Sequence, residues 1–363
     1  MRILIVNPIL HTHEKGAIPV RETNHDCMIY GMARGFVANG HDVTVAASEE
    51  YRCTEPEDNP FEVVYFPSRM PRVFQPWRIP WPKGLGRYIR EHRFDLVFSS
   101  EVFSMGTLIA CRNAKCPVVA WQEQMQHNRH FHEIPSKIWY GIVTRLMMRR
   151  VIAVGRSLPA RDFISRYCPR TSPETVDHGC DGDVFYPSDH ADDSFVIIAR
   201  LVEGKKPLVI LDAFLKFIRK PGFENYRLDV IGDGPMRQPM EERVRQAGAE
   251  GNVAFHGFMS HRDFAPISRR AKGMLINTVR DSNMVSVSEA IANGTPVLMN
   301  SVPYTAPFIR DNGVGIVRDG WDEDTLEELA RGYGRFHEAC VRIGKSFTST
   351  AGAEKIVHIA ENM

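Results

Sequence analysis

Two successive α/β units, each a parallel sheet covered by helices, are the fold class this sequence predicts. Three observations carry that expectation. Short apolar runs alternate with helical stretches from the first residue onward. The alternation stops near residue 180 and then begins again. The length of 363 residues exceeds one ordinary core and suits two.

In the first half, Arg2–Val6 reads as a buried strand. Across Asp26–Asn39 the residues Met28, Met32, Phe36 and Val37 recur on one helical face, and Gly40 ends the helix. Further strands are expected at Asp42–Ala46, Val63–Phe66, Phe94–Ser99, Pro117–Ala120 and Val151–Val154. Pro71, Pro76, Pro80 and Pro82 alternate with Phe74, Trp77 and Trp81, which predicts a loop. The break spans His178 to Asp183 and the polar run Ser188–Ser194. Strands then return at Phe195–Ala199, Tyr226–Ile231, Val253–Phe255, Gly273–Asn277 and Pro296–Met299. Helices are expected at Leu208–Ile218, Met236–Ala247 and Ser286–Asn293. The predicted organisation is therefore two doubly wound, Rossmann-like domains, 1–178 and 179–344. A final segment, 345–363, is expected to pack back on the first. Open sheets of this kind bind ligands beyond the carboxyl ends of their strands, so the expected site is the cleft between the domains.

Composition narrows the class. Hydrophobic residues make up 43% and charged residues 25%, ordinary for a water-soluble globular protein. No apolar run approaches the roughly 20 residues that span a bilayer. The apolar start stops at Asn7-Pro8, too soon for a secretory signal, so a cytoplasmic protein is expected. The seven cysteines are scattered without a paired spacing, which predicts reduced thiols and no metal site. The net charge of +1 conceals an asymmetry, since residues 67–170 carry 18 Lys and Arg against 6 Asp and Glu. Lys137, Arg145, Arg149 and Arg150 bracket Trp139, Tyr140, Leu146, Met147 and Met148. That pattern reads as an interfacial helix, and the expected polyanionic partner is the inner face of an anionic membrane. No nucleic-acid motif accompanies the charge, so no nucleic acid is expected.

The second half carries four motifs in order. They are Ala199-Arg-Leu-Val-Glu-Gly-Lys205, Val230-Ile-Gly-Asp-Gly-Pro235, Val253-Ala-Phe-His-Gly257 and the stretch from Asp281 to Val297 that ends Glu-Ala-Ile-Ala-Asn-Gly-Thr-Pro-Val. Together these resemble the retaining glycosyltransferase family 4 (glycosyl transferases group 1), whose fold is GT-B. Asp281 and Glu289 stand at the two acidic positions of that family's Glu-x7-Glu region. His178-Gly-Cys-Asp181 is similar to its linker signal, and Gly40-His41-Asp-Val-Thr-Val45 to one of its first-domain strands. Gly16 marks the glycine loop after the first strand, and Glu123 stands where the family often has a histidine. His127, His130 and His132 follow it.

The resemblance implies transfer of a sugar from a nucleotide-diphosphate-sugar to a hydroxyl acceptor, with retained configuration. The lipid-linked acceptors of surface polysaccharide or glycolipid assembly are the expected ones. Negative charge grows on the departing diphosphate, and cations aimed at it favour the transition state. The resemblance assigns that task to Arg200 and Lys205, so neither a metal nor another cofactor is expected. It places Glu289 on the ribose hydroxyls, Asp281 on the transferred sugar, and the backbone of Asn283, Met284 and Val285 on the distal phosphate at a helix start. The aspartate is one methylene shorter than the family's glutamate. Gly232 and Gly234 are expected to allow close backbone approach, and Phe258 to face the nucleobase. Arg200, Lys205, Asp281 and Glu123 are the expected catalytic set. A nucleotide-sugar epimerase of the same fold and a catalytically silent partner subunit are the alternatives.

Overall fold

A computed structural model describes residues 1–11, 17–128, 130–177, 179–281 and 284–363. The chain divides into two units, Met1–Gly179 with Ser349–Met363, and Cys180–Thr348.

The first unit is built on strands β1 (Arg2–Val6), β2 (Asp42–Ser48), β3 (Glu62–Phe66), β4 (Leu96–Ser100), β5 (Val118–Gln122), β6 (Val151–Gly155) and β7 (Thr171–Thr175). Their order is β3-β2-β1-β4-β5-β6-β7, and neighbours pair in parallel. Ile3, Ile5, Phe98 and Trp121 fill one face of the sheet with Phe36 and Ile356. Leu4, Val6, Val97 and Ala120 fill the other with Tyr140 and Phe163. Burial on both faces is why these strands read as continuous apolar runs rather than alternating ones. The winding direction reverses between β1 and β4.

The second unit repeats the plan with β8 (Ser194–Ile198), β9 (Arg227–Ile231), β10 (Val253–Gly257), β11 (Met274–Leu275), β12 (Val297–Met299) and β13 (Gly315–Val317). The order is β10-β9-β8-β11-β12-β13, again parallel. Its reversal falls between β8 and β11.

Two strands were not expected. β7, Thr-Ser-Pro-Glu-Thr, has no apolar pattern because it is an edge strand, where Pro173 is tolerated. β13, an edge strand of the second sheet, is three residues long, too short to show a period. The predicted strand Gly273–Asn277 shrinks to the two residues of β11; Ile276 N–H still donates to Leu298 O at 2.9 Å, and Asn277 leads out of the sheet. The Pro71–Pro82 stretch holds no helix or strand; Phe74 and Trp81 meet edge-on at 4.9 Å, and Arg69 lies over Trp81.

The helix Ser349–Asn362 lies against the helix Met28–Ala38 of the first unit. The contact is backbone-close. A Cβ on Gly35 would fall 2.3 Å from the Ser349 carbonyl oxygen. Gly35→Ala should therefore lower stability by about 1–3 kcal/mol, seen as a lower unfolding midpoint. Gly334→Ala, where the added methyl meets nothing within 4 Å, should leave the midpoint unchanged or raise it slightly.

Candidate functional site

β8 ends at Ile198, and the chain turns through Ala199–Val202. Backbone bonds clamp that turn. Ala199 N–H donates to Ile231 O at 3.1 Å, Leu201 N–H to Asp233 O at 2.9 Å, and Met236 N–H to Leu201 O at 2.9 Å. Gly232 (φ 126°) and Gly234 (φ 150°) adopt conformations that side chains rarely tolerate. A Cβ on them would fall 2.0 Å from Ala199 O and 2.5 Å from Leu201 O. The face left open by each glycine is thus filled by the chain's own backbone. Held by this clamp, the Arg200 side chain is exposed and makes no hydrogen bond or ion pair among the described residues.

A second set of bonds ties the exit of β11 to the short turn Glu203–Lys205. Gly204 O accepts from Thr278 Oγ1 at 3.1 Å and from Val279 N–H at 3.0 Å. Thr278 is itself fixed by Asn300, which accepts from its N–H at 3.2 Å and donates to its carbonyl at 2.8 Å. The result brings Lys205 Nζ onto the Asp281 carboxylate as a hydrogen-bonded, mostly buried ion pair. Two residues far apart in the chain and expected at one site therefore touch.

The helix Val285–Ala292 begins beside them, with Met284 as its buried first cap. Its leading N–H groups have no acceptor within the helix. Glu289 lies inside the apolar core of this unit with its side chain 6% exposed. Burial pushes its carboxyl up to about 8. Its nearest charged-group partner was not foreseen. His261 Nε2 stands 3.4 Å from Glu289 Oε1, its ring edge-on to Phe185 and Phe264. No linear spacing joins residues 261 and 289; the only local signal is Ser260, which caps the helix His261–Arg270 by accepting from Asp263 N–H. Phe258 is 89% exposed. Gly16 and Asn283, both expected at the donor site, lie outside the described residues, as does His178.

In the first unit Glu123 follows β5 and is not a free carboxylate. Its Oε2 accepts from Arg156 Nη1 at 2.8 Å. Arg156 is buried, with its guanidinium 3.7 Å from the centre of the Trp121 ring. The Glu123 N–H donates at 2.8 Å to Oε1 of Glu101, a residue that no motif singles out. Glu101 sits just after β4 in the left-handed region (φ 59°), held by Thr107 Oγ1 donating to its carbonyl at 2.6 Å. Its Oε2 is buried without a hydrogen-bond partner among the described residues. Burial pushes this carboxyl up to about 7, against the opposing charge of Arg156. Glu101 and Glu123 line an open pocket of ≈ 290 Å³ with Pro8, Ile9, Arg78 and Phe103. His127 is committed elsewhere, Nδ1 to Ser136 Oγ and Nε2 to Tyr167 OH, both at 3.0 Å, and burial lowers its basicity.

The basic stretch after Glu133 presents a face different from the one expected. Tyr140 and Met148 are buried, and Trp139 Nε1 donates to Val102 O. The most exposed apolar residues are Ile134, Ile138, Ile142 and Leu146, four apart and each at least half exposed, with Met147 less so. A wide helical turn at Trp139–Thr144 continues the helix between them.

Known proteins resemble this chain along most of its length. Residues 28–201 match the family described as Glycosyltransferase Family 4, and residues 185–333 match that described as Glycosyl transferases group 1. The alpha-monoglucosyldiacylglycerol synthase of Streptococcus pneumoniae is 20% identical over 312 residues, 77% of this chain and 68% of that one. Among solved structures, HepE of Anabaena in complex with UDP superposes with a TM-score of 0.66 at 12% identity, covering 100% of both chains. Sucrose-phosphate synthase of Thermosynechococcus elongatus gives 0.65 at 14%, covering 99% of this chain and 98% of that one. The likeness shows the fold, GT-B.

The buried Glu101 makes a pH prediction. A carboxyl that titrates near 7 when folded and near 4.5 when unfolded holds its proton more tightly in the native state. Its contribution to stability is complete below about pH 4.5 and is lost as pH rises through about 7. Glu101→Gln escapes that loss. Denaturant titrations should show the variant gaining on the wild type across this window, by up to about 3 kcal/mol.

Proposed function

The chain is a GT4-like glycosyltransferase, and from that premise we propose that it transfers a hexose from a nucleoside-diphosphate sugar to a hydroxyl acceptor, with retention and without a metal ion. The observation that carries this reading is the grouping of Arg200, the Lys205–Asp281 pair and the start of the helix Val285–Ala292. All sit at the carboxyl edge of the second sheet, where β8 and β11 part. Arg200 and Lys205 supply positive charge where the departing diphosphate gains negative charge, which removes the need for a divalent ion. The helix start offers N–H groups to the distal phosphate. Asp281 orients Lys205 and takes the hydroxyls of the transferred sugar. Glu289 takes the ribose diol, and Phe258 borders the base. The leaving phosphate receives the acceptor's proton. Two solved structures of one similar protein support a nucleotide-sugar donor by their titles, being HepE complexes with UDP and with UDP-glucose.

The acceptor in this reading is lipid-linked and lies at the cytoplasmic face of an anionic membrane, as in glycolipid or surface-polysaccharide assembly. The Streptococcus relative, named for making a glucosyldiacylglycerol, supports that choice. So does the row Ile134, Ile138, Ile142 and Leu146 flanked by Lys137, Arg145 and Arg149. No helix among the described residues is long and apolar enough to cross a membrane, so the proposed contact is peripheral.

Two measurements test these readings. In thermal-shift titrations with UDP-glucose, GDP-mannose and ADP-glucose, at least one should raise the unfolding midpoint. Glu289→Ala should abolish that shift and Lys205→Ala should weaken binding about tenfold, equivalent to about 1.4 kcal/mol. A shift that survives both substitutions would place the donor elsewhere. In sedimentation with phosphatidylglycerol vesicles, the double variant Ile138→Asp, Ile142→Asp should lose at least tenfold in binding while keeping its response to the nucleotide-sugar.

A further inference from the structure

Glu289 is buried on a helix whose Val287, Ala290 and Ile291 belong with Phe264 to one apolar cluster, surroundings that disfavour a lone negative charge. A vicinal diol is best met by the ionised carboxylate, whose two oxygens both accept; a protonated one offers less. The proton must therefore go somewhere when a ribose arrives. The titratable groups around Glu289 are few. Cys180, from the start of the unit, has its thiol pushed far up by burial, and by the charge of Glu289 itself, so it stays neutral. From the helix Tyr333–Gly344, His337 directs Nδ1 at Gly294 O (2.7 Å) and Tyr333 OH (3.1 Å). Lys345, on the next turn, is exposed. His261 alone among these presents a ring nitrogen to the carboxyl, 3.4 Å away.

We propose that His261 is a positioning residue that takes the Glu289 proton when the ribose of the nucleotide-sugar binds, so that the carboxylate meets the diol with no proton released to solvent. The inference rests on the reading of Glu289 as the ribose ligand. The proton leaves a Glu289 carboxyl oxygen and forms an N–H bond at His261 Nε2. It returns when the nucleotide departs. The imidazolium then faces the carboxylate as a hydrogen-bonded ion pair, which offsets the cost of the buried charge. Because proton and acceptor stay inside the site, affinity for the nucleotide-sugar is insensitive to pH through neutrality.

Calorimetric titrations in buffers of different ionisation enthalpy test this by counting protons released per molecule bound. The probe is whichever of UDP-glucose, GDP-mannose and ADP-glucose binds tightest, since a diphosphate diester has no ionisation of its own near neutrality. The wild type should release close to none between pH 6.5 and 8, with an affinity that stays level. His261→Phe keeps a ring against Phe185 and Phe264, and His261→Gln places an amide able to hydrogen-bond the carboxylate; neither can hold the proton. Each variant should release close to one proton below about pH 8, where Glu289 titrates, and lose about tenfold in affinity per unit of falling pH. A full proton released by the wild type overturns the inference without any variant. So does a loss of affinity in the variants that is equal at every pH, which is the mark of a packing role. Failure of the wild type to bind any of the three overturns the donor reading and this inference with it. Binding that ignores Glu289→Ala overturns the ribose assignment.

Discussion

The carbonyls of Ala199 and Leu201 lie against Gly232 and Gly234 with no room for a side chain, and the working edge of the second unit depends on that contact. A turn held only by side chains would leave Arg200 to wander with the loop. Here three backbone hydrogen bonds fix it to the exit of β9, so the cation projects from a rigid base. The next turn then reaches β11 through Gly204, Thr278 and Asn300, which carries Lys205 to Asp281. Arg200 is exposed at this edge and the Lys205–Asp281 pair mostly buried, and what positions them is main chain, the Thr278 hydroxyl and the buried Asn300 amide.

Both units also carry a carboxyl that burial holds partly protonated near neutral pH, and they manage it differently. Glu101 gives one oxygen to the Glu123 N–H and leaves the other without a hydrogen-bond partner among the described residues, beside an open pocket. Glu289 is deeper and has an imidazole at hand. Neither arrangement serves packing, since an apolar residue would fill the same space at lower cost. Perturbed carboxyls that persist at the ends of parallel sheets mark places where ligands are handled.

The fold class was legible because strands buried on both faces spell continuous apolar runs, as Leu4, Ile5 and Val6 do. β7 and β13 escaped notice because edge strands lack that constraint. Of the candidate site, the residues close in sequence were readable, from Arg200 to Lys205 and from Asp281 to Glu289, because one turn or one helix sets their spacing. His261 and Glu101 were not. Each reaches its partner only through strand order, which no linear pattern records. The charge of the first unit was equally plain from composition, yet the exposed apolar row was misread. A window that counts aromatics cannot tell that Tyr140 turns inward while Ile138 and Ile142 turn out.

The return of Ser349–Asn362 to the first unit has a consequence for how the protein is made. The chain leaves that unit at Gly179 and comes back only at Ser349. At ribosomal speeds of about 5–20 residues per second, the first sheet waits roughly 8–34 seconds for its last helix, with the groove at Gly35 uncovered meanwhile. The second unit, continuous in sequence, has no such delay and can finish first. Synthesis order and folding order are thus inverted, and the growing chain offers chaperones an apolar surface for as long as the closing helix is still to come.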